Sequence, residues 1–511
     1  MGTVLGKLVM AATLVGLVLC PQIAGAQATS EEQPYLVGAA KRQINPAADG
    51  TFNKKPVYLG GYGIGGGNPV LAGRPATGVL GDGLRVRAFA VSDGDSHFAI
   101  ADIESQGWFV AVKNGPYGLV DMRKEVARRT AGVLRAEDVV IQSNHSHSGP
   151  DPLGVWGGVP EEYMQYVADQ TVATIVEAFW AMQPAKLYYG TAPGRDLLSN
   201  QFDYDEANHA VDSDVRVLQA RDGDRPLVTL LNFSAHTTVL GASNTKVSGD
   251  WVQAANPLLE QRFGGKAVTV VGTLGRTQPG DRGCTDPGAV GEDAQNLCKI
   301  NDYAGRVVDR AAQAAANAQP LGGDPVVSAR SYLVQDPATN APILGLQYAG
   351  GPLGAPLTRS MSAPWLTGNV LGTVTSTARI GDVLLSAGPG EMYPQIPLKV
   401  AELVGARGHM TAGLAGDQLG YLISDYKAYP EPVRRSFFNQ RGDEVSPIDN
   451  DNYFFNVSHT MGDRVTCSLL RGAAETAGGT ADYRSQYQPC ALFANDLLKA
   501  HGADTTAPSG G

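Results

Sequence analysis

The sequence has few cysteines, no excess of positive charge and no long apolar run beyond its N-terminus. Only 5 of its 511 residues are cysteine, and 50 acidic residues outnumber 40 lysines and arginines, for a formal charge of −10. An acidic chain is a poor partner for phosphate backbones, so we expect no nucleic acid as a ligand. Because no later segment is apolar over about 20 residues, we also expect no transmembrane segment in the mature chain.

The N-terminus is typical of an export signal. Lys7 is the first charge, residues 8–20 are apolar but too short for a convincing membrane span, and Ala24-Gly25-Ala26 is a small-x-small cleavage sequence. We therefore predict a signal peptide over residues 1–26 and a secreted or periplasmic protein, with an uncleaved anchor as the alternative. Residues 27–501 are predicted to form a single large domain, and residues 502–511 a disordered tail.

Four cysteines remain after the predicted cleavage: Cys284, Cys298, Cys467 and Cys490. An even number in an exported chain favours disulfides, and three pairings are open. We expect the local one, Cys284 with Cys298 and Cys467 with Cys490. A cysteine metal site is the competing interpretation, but there is no C-x-x-C pair to support it.

Short apolar runs alternate with amphipathic segments, which predicts an α/β fold with mixed sheets and flanking helices. The predicted strands include residues 84–91, 97–101, 139–142, 186–189, 215–219, 227–233, 267–271, 326–334 and 383–387. The predicted helices cover residues 117–131, 160–182, 251–263, 301–318 and 392–405. No Walker or dinucleotide signature is present, and the glycine-rich residues 60–67 do not open a helix after a strand, so a phosphate cradle is not expected.

Two histidines two residues apart, His145 and His147, directly follow the apolar run at residues 139–141. Side chains at i and i+2 point the same way in extended chain, and imidazole is a good zinc ligand. This pair could therefore begin a metal site. The alternative is a pair of loop histidines bonded to backbone carbonyls.

Two further candidates also follow apolar runs. His236 comes after residues 230–233, and Glu391 comes after residues 383–387 and a tight turn. Each has an ordinary explanation, as a half-buried histidine or as a carboxylate at a helix N-terminus. Together with His145 they form the pattern of a metal site built at strand ends.

The chain resembles the neutral ceramidases, exported zinc amidases that cleave the N-acyl bond of ceramide. The resemblance is carried mainly by Asn-His-Ser-His-Ser-Gly-Pro at residues 144–150, where that family has T-H-T-H-S-G-P. It extends over residues 35–430 through further segments at residues 35–38, 60–63, 233–236, 248–250, 284–298, 388–391 and 412–421. It implies Zn²⁺ held by His145, His236, Glu391 and Tyr421, with His147 and Tyr421 also acting in catalysis. Tyr426 and Tyr429 are alternatives to Tyr421.

The sequence departs from that family in three places. Gln278 stands where the family has a functional serine in G-D-V-S-P-N; its amide can donate a hydrogen bond to an oxyanion but cannot be a nucleophile. The stretch beginning at Asn200 lacks the family's arginine in N-R-S-P. The family's C-terminal β-sandwich domain is expected to be absent.

We predict a zinc-dependent hydrolase that cleaves an N-acyl amide of a ceramide-like lipid or another N-acyl compound with zinc-activated water. The alternatives are an esterase using the same zinc site and a catalytically inactive binding protein on the same scaffold. The expected partner is a small-molecule or lipid substrate, with transient contact to a membrane surface. The regions around Trp108 and Trp156, with the Gly/Pro-rich residues 348–365, are candidates for an apolar acyl site, although such regions are more often ordinary loop packing.

Overall fold

The computed structural model describes the chain from Pro34 onward in several ranges. These are residues 34–62, 73–200, 211–275, 277–338, 340, 370–423, 455–458, 460–477, 487, 490 and 498–500. They belong to one compact unit. The predicted signal peptide, the C-terminal tail and residues 348–365 lie outside the described residues.

A large mixed sheet supplies half of the framework. Its strands are β1 (Tyr35–Gln43), β2 (Arg85–Ser92), β3 (His97–Ile103), β4 (Val139–Ser143), β5 (Gln183–Pro193), β6 (Asp214–Asp222), β7 (Arg225–Phe233), β8 (Lys266–Val271) and β9 (Gln319–Pro320). The order is β8-β7-β6-β5-β1-β2-β3-β4, with β9 paired to β5. Only β3/β4 and β7/β8 are parallel, and each pair encloses a helical crossover.

A second, smaller sheet has the order β13-β12-β11-β10-β14. Its strands are β10 (Val327–Pro337), β11 (Val370–Ile380), β12 (Val383–Ala387), β13 (Gly408–Ala412) and β14 (Leu498–Ala500). Strands β12 and β13 run parallel, with a helix between them. Each sheet therefore has parallel strands whose carboxyl ends can hold functional side chains.

The two sheets pack face to face and are covered by helices on their outer faces. The helices are α1 (Leu119–Arg129), α2 (Glu161–Trp180), α3 (Asp250–Phe263), α4 (Glu292–Ala316), α5 (Gln395–Val404) and α6 (Met461–Thr476). Buried side chains from both sheets form one core cluster. Helices α1 to α4 pack on the large sheet and α5 and α6 on the small one. Because both faces of β2 to β4 are covered, nearly all of their residues are buried.

Short two-stranded pairings tie the loops to this framework. They join Thr51–Phe52 to Lys55–Pro56, Tyr58–Leu59 to Arg74–Pro75, Gly78–Val79 to Lys246–Val247, Leu198–Asn200 to Thr277–Pro279, and Glu391–Met392 to Tyr421–Leu422. In each of the last three pairings, one strand lies in a loop that follows a strand of a main sheet: Lys246–Val247 after β7, Thr277–Pro279 after β8, and Glu391–Met392 after β12. These pairings fix the loops on which the candidate site residues lie.

The predicted α/β fold is confirmed, and four of the predicted helices are found close to their expected ends. The helix expected over 301–318 begins instead at Glu292, because Glu292 and Asp293 provide a favourable acidic first turn that the loop-like composition concealed. Helix α6 was not predicted. Both expected disulfides are present, Cys284–Cys298 and Cys467–Cys490. Within the described ranges, no helix combines the length and apolarity needed to cross a membrane.

Candidate metal centre

Three imidazoles and one carboxylate meet where strands of both sheets end. His145 follows β4, His236 follows β7, and Glu391 follows β12. All three are buried, whereas His147, two residues beyond His145, is half-buried. The structure thus brings together four of the residues that the sequence predicted to form the site.

The backbone at His145 is left-handed, with φ of +64°. This conformation is uncommon outside glycine and costs free energy, so such residues concentrate at functional sites. It lets the chain turn sharply after β4. His147 consequently folds back so that its Nε2 lies 3.2 Å from the Nε2 of His145.

The ligand atoms converge on one small volume. One ring nitrogen from each of His145, His147 and His236 lies within 4.8 Å of those of the other two. The Oε2 atom of Glu391 lies 3.1 Å from the Nε2 of His236 and 3.4 Å from the Nε2 of His145. If His145, His236 and Glu391 bind one tetrahedral metal ion, its fourth position is left for another ligand.

The far side of each buried imidazole is held by a backbone carbonyl. The Nδ1 of His145 lies 2.9 Å from the carbonyl oxygen of Gln106, and the Nδ1 of His236 lies 2.9 Å from that of Thr277. A carbonyl can only accept, so each Nδ1 carries the proton and each Nε2 presents a lone pair. Outer carbonyls of this kind orient histidines that bind metals.

The electrostatics of the cluster follow from burial and proximity. Burial alone raises the pKa of Glu391, but the neighbouring His145 and His236 outweigh it and hold the pKa well below its usual range. Burial, followed by the positive charge that His145 and His236 carry when they are protonated, holds the pKa of His147 well below its ordinary value. The carboxylate is therefore ionised, and His147 is neutral.

The residues present fit a divalent metal ion. With Nδ1 protonated, the Nε2 lone pairs of His145 and His236 face the Oε2 of Glu391, which brings acceptor against acceptor at hydrogen-bond distance. Among the described residues, that oxygen has no hydrogen-bond donor. Such an arrangement is repulsive unless a proton or a metal ion lies between the atoms, and two imidazoles with a carboxylate are a set that zinc accepts.

Tyr421 is the direct partner of Glu391 where the short strand Glu391–Met392 pairs in parallel with the short strand Tyr421–Leu422. Both residues are buried, and the amide of Glu391 donates to the carbonyl of Gly420. The structure thus carries Tyr421 to the edge of the cluster. The alternatives Tyr426 and Tyr429 lie outside the described residues.

Gln278 lies one residue from the carbonyl that holds His236. Its Oε1 accepts a hydrogen bond of 2.6 Å from the hydroxyl of Thr238, and its backbone pairs with Ser199. Asn200 ends the same short strand, and the residues that follow it lie outside the described ranges. Gln278 is therefore part of the wall beside His236.

Several contributors were not predicted from the sequence. Gln106 orients His145 through its main chain, which no side-chain pattern can reveal. Asp250, known in the sequence only as part of a motif, has φ of +56° and accepts three hydrogen bonds, from the amides of Val239, Leu240 and Trp251. It thereby fixes the loop that follows His236. Burial raises the pKa of Asp250 to about 6 despite these bonds.

The chain belongs to the neutral/alkaline non-lysosomal ceramidase family, because residues 73–330 match the N-terminal part of that family. The resemblance seen in the sequence is thereby confirmed.

Solved structures agree on the fold. The chain is similar to neutral ceramidase from Pseudomonas aeruginosa, with a TM-score of 0.65 and 18% identity over 88% of this chain and 76% of that one. A second structure, described as a ceramidase complexed with C2, has a TM-score of 0.63, the same identity and the same coverage. No curated protein matches the chain.

Proposed function

We propose that the protein is a zinc-dependent hydrolase that cleaves the N-acyl amide bond of a ceramide-like lipid or a related N-acyl compound. His145, His236 and Glu391 bind the metal, and Tyr421 completes the set. The observation that carries the proposal is the buried meeting of two Nε2 lone pairs with a carboxylate oxygen at 3.1 and 3.4 Å. Membership of the ceramidase family supports the reaction class.

Zinc in such a site supplies Lewis acidity and lowers the pKa of bound water to about 7. The protein's own groups do the rest. His147, with its Nε2 beside that of His145 and neutral at rest, would take up the proton that the attacking water loses and pass it to the leaving amine. An amide N–H of Gln278 and the phenol of Tyr421 stabilise the charge that develops on the acyl oxygen.

Two buried apolar clusters near Tyr421 mark the region where we propose that an acyl chain binds. Tyr393, Tyr421, Ile423 and Phe455 form one apolar cluster, and the ring of Phe455 lies 6.3 Å from that of Trp156. Trp156 in turn packs with Phe109 and Leu153. Trp108, by contrast, is a core residue whose Nε1 donates to the carbonyl of Tyr117.

Metal analysis and activity together test the proposal. The purified protein is expected to contain one zinc ion per chain and to hydrolyse at least one member of a panel of N-acyl sphingoid bases and N-acyl amino acids. A chelator should abolish turnover, and zinc should restore it. His145→Ala should lose both metal and turnover, whereas His97→Gln, a histidine on β3 far along the strand from the site, should retain both.

The same panel separates the alternatives. Turnover of simple esters without any amide would establish an esterase. Bound metal and substrate analogues without turnover of any compound would establish a binding protein, to which the glutamine at position 278 would then contribute. A protein that takes up no zinc, with metal content unchanged in His145→Ala, would contradict the proposed site.

We further propose export through a signal peptide over residues 1–26, with one catalytic domain over residues 27–501 and a tail over 502–511. The two disulfides support an oxidising compartment. N-terminal sequencing of the protein recovered from the periplasm or medium should find Gln27 first. An N-terminus at Met1 on the recovered protein would contradict this assignment.

A further inference from the structure

One guanidinium beside the metal centre is bonded only to main-chain oxygens. One amino group of Arg74 donates to the carbonyls of Gly60 (2.6 Å) and His147 (2.5 Å). The other donates to the carbonyls of Asn244 (3.1 Å) and Ala242 (3.4 Å). Three separate loops, including the one that carries His147, are thus connected through a single side chain.

Arg74 has no acidic partner among the described residues, which distinguishes it from most of the arginines in the described ranges. Its guanidinium is largely buried, and burial lowers its pKa. The face of the Tyr62 ring lies 4.9 Å from its central carbon. A cation buried without a carboxylate is costly to fold, so its retention indicates a local task.

The contacts around His147 show what that task is. The Tyr62 ring meets the His147 imidazole edge to face at 4.7 Å, and the Tyr62 hydroxyl donates to the carbonyl of Leu240. Gly61 has φ of +85°, and a Cβ there would come within 2.3 Å of the His147 ring. The His147 imidazole is therefore enclosed by residues 60–62, whose main chain Arg74 binds at Gly60. The Nδ1 of His147 has no hydrogen-bond partner among the described residues.

We propose that Arg74 is a positioning residue that fixes His147 against the metal centre by joining the loops at Gly60, His147 and Asn244. The inference rests on the proposed hydrolase function. His145 and His236 are oriented by other carbonyls, so Arg74 acts on proton transfer by His147 and leaves metal binding unchanged. Its main-chain bonds substitute for the side-chain hydrogen bond that His147 lacks.

Two substitutions test this assignment. Arg74→Met keeps the stem and removes all four hydrogen bonds, whereas Arg74→Lys keeps the charge with fewer donors. We expect kcat to fall roughly 10- to 100-fold in Arg74→Met, the range typical of outer-shell losses, with KM and zinc affinity nearly unchanged. Arg74→Lys should recover part of kcat. Arg225→Met, at an exposed arginine paired with Asp222, is the matched control.

Hydrogen exchange on the metal-free protein gives a readout that does not depend on activity. Amides at residues 57–62, 146–149 and 238–245 should exchange faster together in Arg74→Met, while those of β7 and β12 should not change. Unchanged kcat and unchanged exchange would overturn the proposal, as would a fall in kcat matched by an equal loss of zinc or of folded protein. If wild-type protein shows no turnover, the hydrolase proposal fails, and coordinated exchange alone decides the role of Arg74 in joining the loops.

Discussion

Two buried polar clusters share strand β7, and they differ in where their positive charge comes from. The hydroxyl of Ser234, the first residue after β7, donates to the carboxylate of Asp212. That carboxylate also accepts from both amino groups of Arg216. Two residues later, the Nε2 of His236 lies 3.1 Å from Glu391, a carboxylate that pairs with no lysine or arginine among the described residues. The first cluster is complete within the chain. The second pairs its carboxylate only with histidines among the described residues, which is the arrangement that the proposed metal site requires.

Histidines in the two clusters differ in the same way. In the Asp212 cluster, the Nε2 of His409 lies 2.9 Å from the hydroxyl of Ser386, and burial together with Arg216 lowers the pKa of His409 to about 4. Its ring has a partner and supports the structure. In the metal centre, the Nε2 atoms have only one another and a carboxylate. A buried histidine therefore indicates a metal when its neighbours accept rather than donate.

The largest expected effect comes from removing the charge of Glu391. Glu391→Gln should lower kcat/KM about 10³-fold, equivalent to about 4 kcal/mol of transition-state stabilisation, and should weaken zinc binding. Stability of the metal-free protein should fall little, because the repulsion between acceptors is relieved. Assays of turnover, zinc affinity by chelator competition and urea unfolding together measure this. Full activity in the variant would remove Glu391 from the site.

Disrupting the Asp212 cluster should have the opposite effect: a large loss of stability without loss of zinc. Arg216→Met leaves Asp212 buried without its cation, which should cost about 3–5 kcal/mol of unfolding free energy. Zinc content per folded molecule should remain that of the wild type. Urea unfolding and metal analysis of the folded fraction measure the two quantities. Loss of zinc from folded Arg216→Met would show that the clusters are not independent.

A matched pair of histidine substitutions sharpens the contrast. His147→Gln should lower kcat about 100-fold, within the range for general acid–base groups, while zinc is retained. His409→Gln should leave kcat unchanged. Steady-state kinetics on metal-loaded proteins of equal folded fraction measures both. Equal effects on kcat would mean that His147 has no special part in proton transfer.

The smallest expected effect is the change with pH in how much Asp212 contributes to the free energy of unfolding. Burial raises the pKa of Asp212, but Arg216 and Ser234 outweigh it, so the pKa lies below its usual 3.8. A carboxyl with a lowered folded-state pKa stabilises the fold above its unfolded pKa, and this contribution is lost as the pH falls through the folded value. Asp212→Asn should therefore be most destabilising above about pH 4. Below that pH, the difference in unfolding free energy between wild type and variant should become smaller. Urea unfolding at a series of pH values measures it; a difference that grows on acidification would contradict this order.

The meeting of His145, His236 and Glu391 at the candidate metal centre could be predicted from the sequence because each follows an apolar run. Strand ends are visible in a pattern of hydrophobicity, and His145, His236 and Glu391 lie directly after such runs. The resemblance to a family then linked residues more than 240 positions apart, between His145 and Glu391. The disulfide pairing was chosen from three that the sequence left open, and the local pairing chosen is the one found.

The supporting contacts could not be predicted, for a physical reason. Gln106 and Thr277 act through their carbonyls, which every residue possesses, and Arg74 acts on carbonyls of three distant loops. Such bonds depend on loop paths and not on side-chain type. The start of α4 at Glu292 was likewise hidden, since its first turn adjoins a stretch rich in glycine and aspartate.

The left-handed backbone at His145 sets a limit on how far this protein can be stabilised. Asp250 and Leu414 adopt the same conformation close by, with φ of +56° and +49°. Leu414 bonds both to Ser143, at the end of the strand before His145, and to Gly390, before Glu391. Each such residue costs about 1–2 kcal/mol, which glycine would recover. Selection for thermal stability alone would therefore favour glycine at His145, a proposed metal ligand, and a thermostable variant that keeps this histidine must gain its stability elsewhere.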